Sequence, residues 1–498
     1  MHLFLQRLFF FVMVPLLLPV ACREKTENPY RNVALEDYDS LCTEQYAVKE
    51  KAVRSVIAAM ARADDDTLAA DYFTRAYYRK GGCLVWVGRM GVRAQADTLL
   101  HLLDSLEQIG FNKRRFRVPQ IVEDLRCVRQ LAFTENGACC GCLGRLEYNL
   151  TKAFLRFALG ERYGYVDPYR LLNRLELADT TMAHPSFRTL FDVPMERRNK
   201  NFFPEMLQWV KGDSIADFFR TIPPKGALYG MLKERLQRTG LNEAQRQKLL
   251  VNMERSRWRM EEDPMCCEKY VLVNIPSYHL RAVDGKEVLE MRIGCGAQQT
   301  KTPLLTSAIK RMDVNPQWII PKSIVRTSVV KHVGDSAYFA SHRYFVRERA
   351  TGKSVPIRYV SAAMLLSPDY AVVQEGGEGN SLGRIIFRFD NKFAVFLHDT
   401  SSRDFFARRS RDVSHGCVRV EKPFELALFL LEKRDSAVGN KIRETMEEEV
   451  RRSYVLQKKV PLFITYFTLY PNPKGEMEEY ADVYGYDKVI GQYLSNYR

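Results

Sequence analysis

A cysteine and a histidine 19 positions apart, Cys417 and His398, are the side chains of this 498-residue sequence best suited to covalent chemistry. His398-Asp399-Thr400 is followed by an arginine-rich loop and then by Ser414-His415-Gly416-Cys417-Val418-Arg419-Val420. A thiol attacks only as thiolate, so it needs a base or a positive field beside it, and a glycine turn leaves the sulfur open to a substrate. His398 ends a strand-like apolar run, a rigid place from which a ring nitrogen can take the thiol proton and return it to a leaving amine. Backbone N–H groups around Gly416 and Cys417 are placed to stabilise an oxyanion. An isolated Cys/His pair is usually packing. What lifts this one is the string Ser-His-Gly-Cys-hydrophobic-Arg, with the histidine 15 intervening residues before the serine.

The elements that must position these residues change character at Tyr270. From about Ala47 to Trp258 the period is helical: Leu99, Leu100, Leu102, Leu103, Leu106 and Ile109 form one stripe before Gly110, and Leu150, Phe154, Leu155, Phe157 and Ala158 another before Gly160. Asp167-Pro168 and Pro223-Pro224 mark loops, and residues 244–259 read as a last helix. After Tyr270, residues 270–276 and 287–293 read as strands of a hairpin, and 384–389 with 393–398 as a second, turning at Asp390-Asn391. A helix starts at Pro423 and closes at Lys433 and Arg434, and residues 460–469 offer one more strand. The expected class is α+β, a helical scaffold followed by a mainly β domain.

A composition of 46% hydrophobic and 27% charged residues suits a folded chain, and its length suits two or three domains. The net charge of +15 is spread along the sequence, with no zinc module, helix-turn-helix spacing or aromatic RNA-binding motif, so nucleic acid is not an expected partner. Cys139-Cys140-Gly141-Cys142 has no histidine or second cysteine pair at zinc spacing, which leaves a disulfide or buried thiols and no metal site. Spacing fixes no pairing for the 11 cysteines; setting aside Cys22 and Cys417 leaves an odd number, so at least one further thiol is free or pairs between chains. At the other end, Arg7 precedes the apolar run Leu8–Val20, too short for a comfortable membrane span and followed by Arg23, Glu24 and Lys25. Residues 1–21 therefore read as an export signal. Ala21-Cys22 resembles a lipoprotein processing site, which makes Cys22 the expected lipid carrier, 22–45 a linker, and the location the periplasm with membrane attachment.

The string around Cys417, together with the strand-borne His398, resembles the signature of the YkuD-type L,D-transpeptidases, and is most similar to their large, multi-domain (YcbB-like) branch. Asn274-Ile275-Pro276-Ser277-Tyr278 resembles the first catalytic strand and turn, and Lys301-Thr302-Pro303 with Asn315-Pro316-Gln317-Trp318-Ile319-Ile320-Pro321 the substrate-cleft segment. Leu382-Gly383-Arg384-Ile385-Ile386-Phe387 leads into the histidine strand in the same way, and Val460-Pro461-Leu462-Phe463 and Asp482-Val483-Tyr484-Gly485-Tyr486-Asp487 look like the closing extension. The helical part agrees more loosely, through Leu150–Phe154, Gly164–Pro168 and Asn252–Trp258. About a dozen residues separate Leu236 from Lys248, so the small peptidoglycan-binding domain of that branch is not expected here.

The resemblance implies a scaffold over 46–265, a catalytic domain over 266–435 with a lid inserted at about 322–373, and an extension over 436–498. The lid segment carries eight Lys/Arg against three Asp/Glu. Cys417 becomes the nucleophile and His398 the proton shuttle. Ser414, His415, Gly416 and Trp318 shape the site or touch substrate, and Arg419, where smaller relatives carry Asn, could bind a stem-peptide carboxylate. No metal or cofactor is called for. The implied reaction joins a tetrapeptide donor to the side-chain amine of a second peptidoglycan stem, forming a 3-3 cross-link. Release to water (L,D-carboxypeptidase), an amidase on the same cysteine and a non-catalytic envelope-binding lipoprotein are the alternatives.

Overall fold

In the computed structural model the residues described are 48–88, 91–133, 135, 137–179, 186–212, 214–431, 436–472 and 474–498. Cys22, the export signal and the linker lie outside them. The chain divides into two compact units, the first comprising, of the described residues, 48–67, 71–100 and 117–152, and the second 68–70, 101–116 and the remainder from Ala153 onward.

In the first unit, helix α1 (Glu50–Ala63) buries Val53, Ile57 and Ala61 on one stripe. Helix α2 (Ala138–Tyr163) supplies buried charges that are fully matched. The Glu147 carboxylate accepts the N–H groups of Val85, Trp86 and Val87 at 2.5, 2.9 and 3.0 Å and the Tyr78 hydroxyl at 2.7 Å. Lys152 Nζ reaches Asp64 at 2.6 Å and Asp66 at 2.7 Å, so an ammonium already answers the one carboxylate cluster among the described residues with metal-like spacing. Cys139, Cys140 and Cys142 are buried thiols outside any disulfide, which decides the alternative left open by their spacing.

Within the second unit, α2 does not stop at Gly160. It runs to Tyr163 because the Tyr165 ring packs where a Gly160 side chain would be, and Gly164 at φ +92° makes the turn instead. Helix α3 (Glu243–Arg257) starts at a capping box, Asn242 accepting from the Gln245 N–H while the Gln245 side chain accepts from the Asn242 N–H. It is polar even where buried. Arg257 is 1% exposed and binds Glu161 at 3.2 Å, Glu254 at 3.4 Å and the Tyr229 hydroxyl at 3.1 Å. Burial pushes the Glu254 carboxyl up to about 7, against the pull of Arg257. Asn252 Oδ1 accepts the Thr468 N–H at 2.9 Å and Arg255 pairs with Asp487 at 2.7 Å, so α3 ties the helical segment to the C-terminal residues.

The same unit holds a ten-stranded sheet. Its strands are β1 (Phe191–Asp192), β2 (Lys269–Asn274), β3 (His279–Asp284), β4 (Glu287–Gly296) and β5 (Leu304–Val314). An insertion follows, carrying its own four-stranded sheet of β6 (Trp318–Ile319), β7 (Tyr344–Glu348), β8 (Ser354–Val355) and β9 (Tyr370–Gln374) in the order β6-β9-β7-β8. The main sheet resumes with β10 (Ile385–Phe389), β11 (Leu397–His398), β12 (Asp412–Ser414), β13 (Val418–Val420) and β14 (Arg452–Thr465). Its order is β10-β11-β13-β4-β3-β2-β14-β5-β1, with β12 on β4, and a further β10–β5 pairing closes the sheet on itself. Helix α4 (Pro423–Leu430) starts with its proline in the first turn, as read from the sequence.

Two expectations about this sheet are corrected. Residues 393–396 are not strand, because Asn391 Oδ1 takes the N–H groups of Phe393 (2.9 Å) and Val395 (3.2 Å) and Ala394 stands at φ +52°. The last strand, expected from residue 460, begins at Arg452 and lies between β2 and β5, inside the sheet. The inserted segment encloses a small core of its own, including Val325, Val329, Phe339, Val346, Leu365 and Val372, onto which Trp318 packs. No described helix is long and apolar enough to cross a membrane.

Replacing Arg257 by Met should destabilise the second unit by about 3 kcal/mol, because Glu161 and Glu254 would lose the buried cation they share. Urea unfolding followed by circular dichroism measures this; an unchanged midpoint would mean the cluster contributes nothing.

Candidate active site

Strands β11 and β13 run parallel with Leu397 opposite Val418 and His398 opposite Arg419. Cys417 and Phe396 lie just before these strands, and the charge of Arg419 acts on both His398 and Cys417, which groups the three side chains. The ring is 4% exposed. Its Nδ1 faces the Asp399 carbonyl within hydrogen-bond distance, and because a carbonyl can only accept, Nδ1 carries the proton and Nε2 is left as the basic nitrogen. Burial first, and then the charge of Arg419, lower the His398 pKa to about 4. Burial raises the Cys417 thiol, offset in part by the Phe396 N–H and by Arg419 and Arg388. Burial thus pushes both groups toward their neutral forms.

Arg419 is the unsatisfied member of this group. Its Nε is buried without a partner among the described residues, its guanidinium lies 5.5 Å from the Phe405 ring centre, and burial lowers its pKa. Such a donor is poised for an anion brought by a ligand.

The turn before Cys417 is held from several sides. Gly416 stands at φ +115°, a conformation L side chains rarely adopt. Ser414 Oγ accepts the Gly416 N–H at 3.1 Å and donates to the Cys417 carbonyl at 2.6 Å. Thr302 Oγ1 donates to the Gly416 carbonyl at 2.9 Å, and Thr300 Oγ1 to the Ser414 carbonyl at 2.8 Å. Tyr484 accepts the Thr302 N–H at 3.1 Å and donates to the Gly296 carbonyl at 2.7 Å. The expectation that both turn amides face an oxyanion is narrowed: the Gly416 N–H is engaged, which leaves that of Cys417.

Behind the histidine, Asn380 is 1% exposed and its side chain accepts the Leu382 N–H at 2.7 Å while donating to the carbonyls of Glu375 (2.6 Å) and Pro316 (3.2 Å). It thus joins both ends of the insertion to the Leu382-Gly383 turn. The Leu382 carbonyl faces the His398 ring, and Gly383 at φ +66° lies so close to Asp399 that a side chain would overlap it.

On the Gly416 side lies a cleft of about 340 Å³, lined by Arg188, Thr189, Lys301, Pro303, Lys392, Phe393, Val395, His415 and Gly416. The structure thus brings His398, Ser414, Gly416, Cys417 and Arg419 together, with the exposed His415 turned to the cleft. Trp318 instead sits in β6 against the core of the insertion. Thr300, Thr302, Tyr484, Asn380 and Arg188 were not singled out from the sequence; Lys301-Thr302-Pro303 and the string containing Tyr484 held the signal for two of them.

Residues 268–442 match the L,D-transpeptidase catalytic domain family (YkuD), and residues 71–236 match the Scaffold domain family. The chain carries a YkuD L,D-transpeptidase catalytic domain. Only residues 237–267 separate the two matches, and α3 fills 15 of those positions. A Haemophilus influenzae protein named "Putative L,D-transpeptidase" is 28% identical over 289 residues, 57% of this chain and 58% of that protein. Among solved structures, an L,D-transpeptidase from Mycobacterium smegmatis aligns at 12% identity and TM-score 0.18, over 40% of this chain and 58% of its own. One from Enterococcus faecium aligns at 13% and 0.17, over 42% and 53%. Strand β14 lies beyond the YkuD match yet within the sheet of that domain.

The push of both groups toward neutrality has a pH consequence. Iodoacetamide should alkylate Cys417 about tenfold faster per pH unit between pH 6 and 8, with no acid plateau, since the raised thiol pKa leaves thiolate scarce until higher pH. Peptide mapping by mass spectrometry reads the Cys417 rate apart from the exposed Cys83 and Cys266; a rate already flat at pH 5 would mean a thiolate–imidazolium pair.

Proposed function

We propose that this protein is a peptidoglycan L,D-transpeptidase that forms 3-3 cross-links through a thioester on Cys417. The observation that supports this reading is the β11–β13 register, which pairs His398 with Arg419, two residues after Cys417, in a YkuD domain. His398 Nε2 takes the thiol proton as sulfur attacks the carbonyl of the third, diamino acid residue of a tetrapeptide stem. The Cys417 N–H stabilises the oxyanion. The bond to the terminal D-Ala breaks, His398 returns its proton to that amine, and the thioester remains. The side-chain amine of a second stem then attacks, its proton passing by way of His398 to the departing sulfur. Arg419 anchors a substrate carboxylate through its free Nε, and the basic insertion closes over the acyl-enzyme to limit hydrolysis.

Each step uses groups of the chain itself and requires no metal or organic cofactor. Water in place of the amine would make the same site an L,D-carboxypeptidase. The substrate lies outside the cytoplasmic membrane, which fits export by the apolar run Leu8–Val20 and a lipid anchor at Cys22.

Cys417→Ala should abolish both D-Ala release and dimer formation from tetrapeptide muropeptides, read by mass spectrometry; dimers at the wild-type rate would end the cysteine mechanism. A carbapenem, whose strained carbonyl offers the thiol an acyl donor, should add one inhibitor mass to the wild type and none to Cys417→Ala. His398→Ala should slow that acylation by about 100-fold, and labelling at another cysteine first would move the nucleophile.

A further inference from the structure

The two sides of Cys417 along the β11–β13 pair differ. After Cys417 the chain enters β13 toward the His398–Arg419 pair, whereas Gly416 before it lines the cleft together with Val395, and neither His398 nor Arg419 belongs to that lining. The histidine side and the cleft side thus leave Cys417 in opposite chain directions. Transfer chemistry assigns the sides. The leaving amine and the entering amine both exchange a proton with His398, so both occupy the side of the histidine. The acyl part of the donor, which stays on sulfur throughout, must extend the other way, into the cleft.

The cleft is cationic, and one of its walls comes from the segment matched to the Scaffold family. Lys301 and Arg188 share a single carboxylate, Glu176, at 2.6 and 3.1 Å, which leaves one positive charge unmatched. Lys392 reaches Asp192 only at 3.5 Å with its side chain 81% exposed, a pair that solvent weakens. Pro303, Phe393 and Val395 give the cleft its apolar surface. Apolar walls with a few convergent cations suit a peptide that carries carboxylates.

We propose that this cleft is the acyl-donor subsite and that Arg188, Lys301 and Lys392 recognise a carboxylate on the donor stem peptide, upstream of the bond that is broken. The assignment rests on the transpeptidase reading for its direction, but the charge recognition is testable without turnover. Arg188 also donates to the carbonyls of Gln299 and Lys301, on either side of Thr300, so it braces the loop that holds the Ser414–Gly416 turn. Lys392 has no such structural duty and is the residue to change.

The test titrates the full chain with the stem tripeptide, its carboxylates free or amidated, by isothermal calorimetry. The wild type should bind the free form about tenfold more tightly than the amidated one, Lys392→Glu should lose that preference, and Lys392→Arg should keep it. With tetrapeptide donor, Lys392→Glu should raise the KM for D-Ala release by about tenfold while kcat stays within about twofold. Equal binding of both tripeptides by the wild type, or a Lys392→Glu loss that is the same for both, overturns the subsite. So does a variant that releases D-Ala normally and fails only in dimer formation, since the cleft would then serve the acceptor. If binding shows the predicted charge dependence and the wild type releases no D-Ala, the transpeptidase reading falls and the anionic-peptide subsite stands.

Discussion

The Ser414 hydroxyl accepts the Gly416 N–H and donates to the Cys417 carbonyl, and this pair of bonds fixes a glycine at φ +115° directly before Cys417. Thr302 and Thr300 hold the same turn through its carbonyls, and Tyr484 holds Thr302. Tyr466 in turn donates to Asp482 at 2.6 Å and accepts the Tyr484 N–H at 2.7 Å. The placement of Cys417 is thus set by residues from the β4–β5 connection and from the C-terminal segment, bound by hydrogen bonds that are buried and mutually satisfied. Loosening any of them would let the Cys417 sulfur shift within the site.

Burial does most of the electrostatic work at the same place. Holding the His398 pKa near 4 disfavours the charged ring by about 3 kcal/mol relative to water. Burial disfavours the Cys417 thiolate as well, so one cause moves both groups toward their neutral forms. Arg419 and Arg388 lower the cost of negative charge at sulfur while opposing positive charge on the histidine. Their net effect is a site that favours anions arriving from outside.

Much of this was legible in the sequence, for reasons that differ by residue. Ser414, His415, Gly416 and Cys417 are contiguous, so their geometry is local, and His398 could be read because an apolar run led to it. The run itself misled: Phe393 to Phe396 have strand character, but the Asn391 side chain captures their amides, and a single side-chain competitor leaves no periodic mark. Gly160 misled for the opposite reason, since a glycine that reads as a helix stop is required by the Tyr165 ring. Thr302 and Tyr484 act across 114 and 182 positions, and a hydrogen bond between such distant residues imposes no pattern on either. The residues of the Scaffold match and of β14 reach the catalytic sheet by the same kind of long-range pairing.

The insertion between β5 and β10 leaves and re-enters the sheet through one clasp. Asn380 bonds the carbonyls of Pro316 and Glu375, and Gly376 lies so close to the Asn315 carbonyl that a side chain could not fit. Because the ends are joined at the base, the entropy of closing the excursion is met there, and its length adds only slowly to that cost. The segment has its own core, so its contents can change without reshaping the strands that carry His398 and Cys417. It behaves as a cassette, a separately packed excursion whose interior can be altered without disturbing the register of β11 and β13 beneath it.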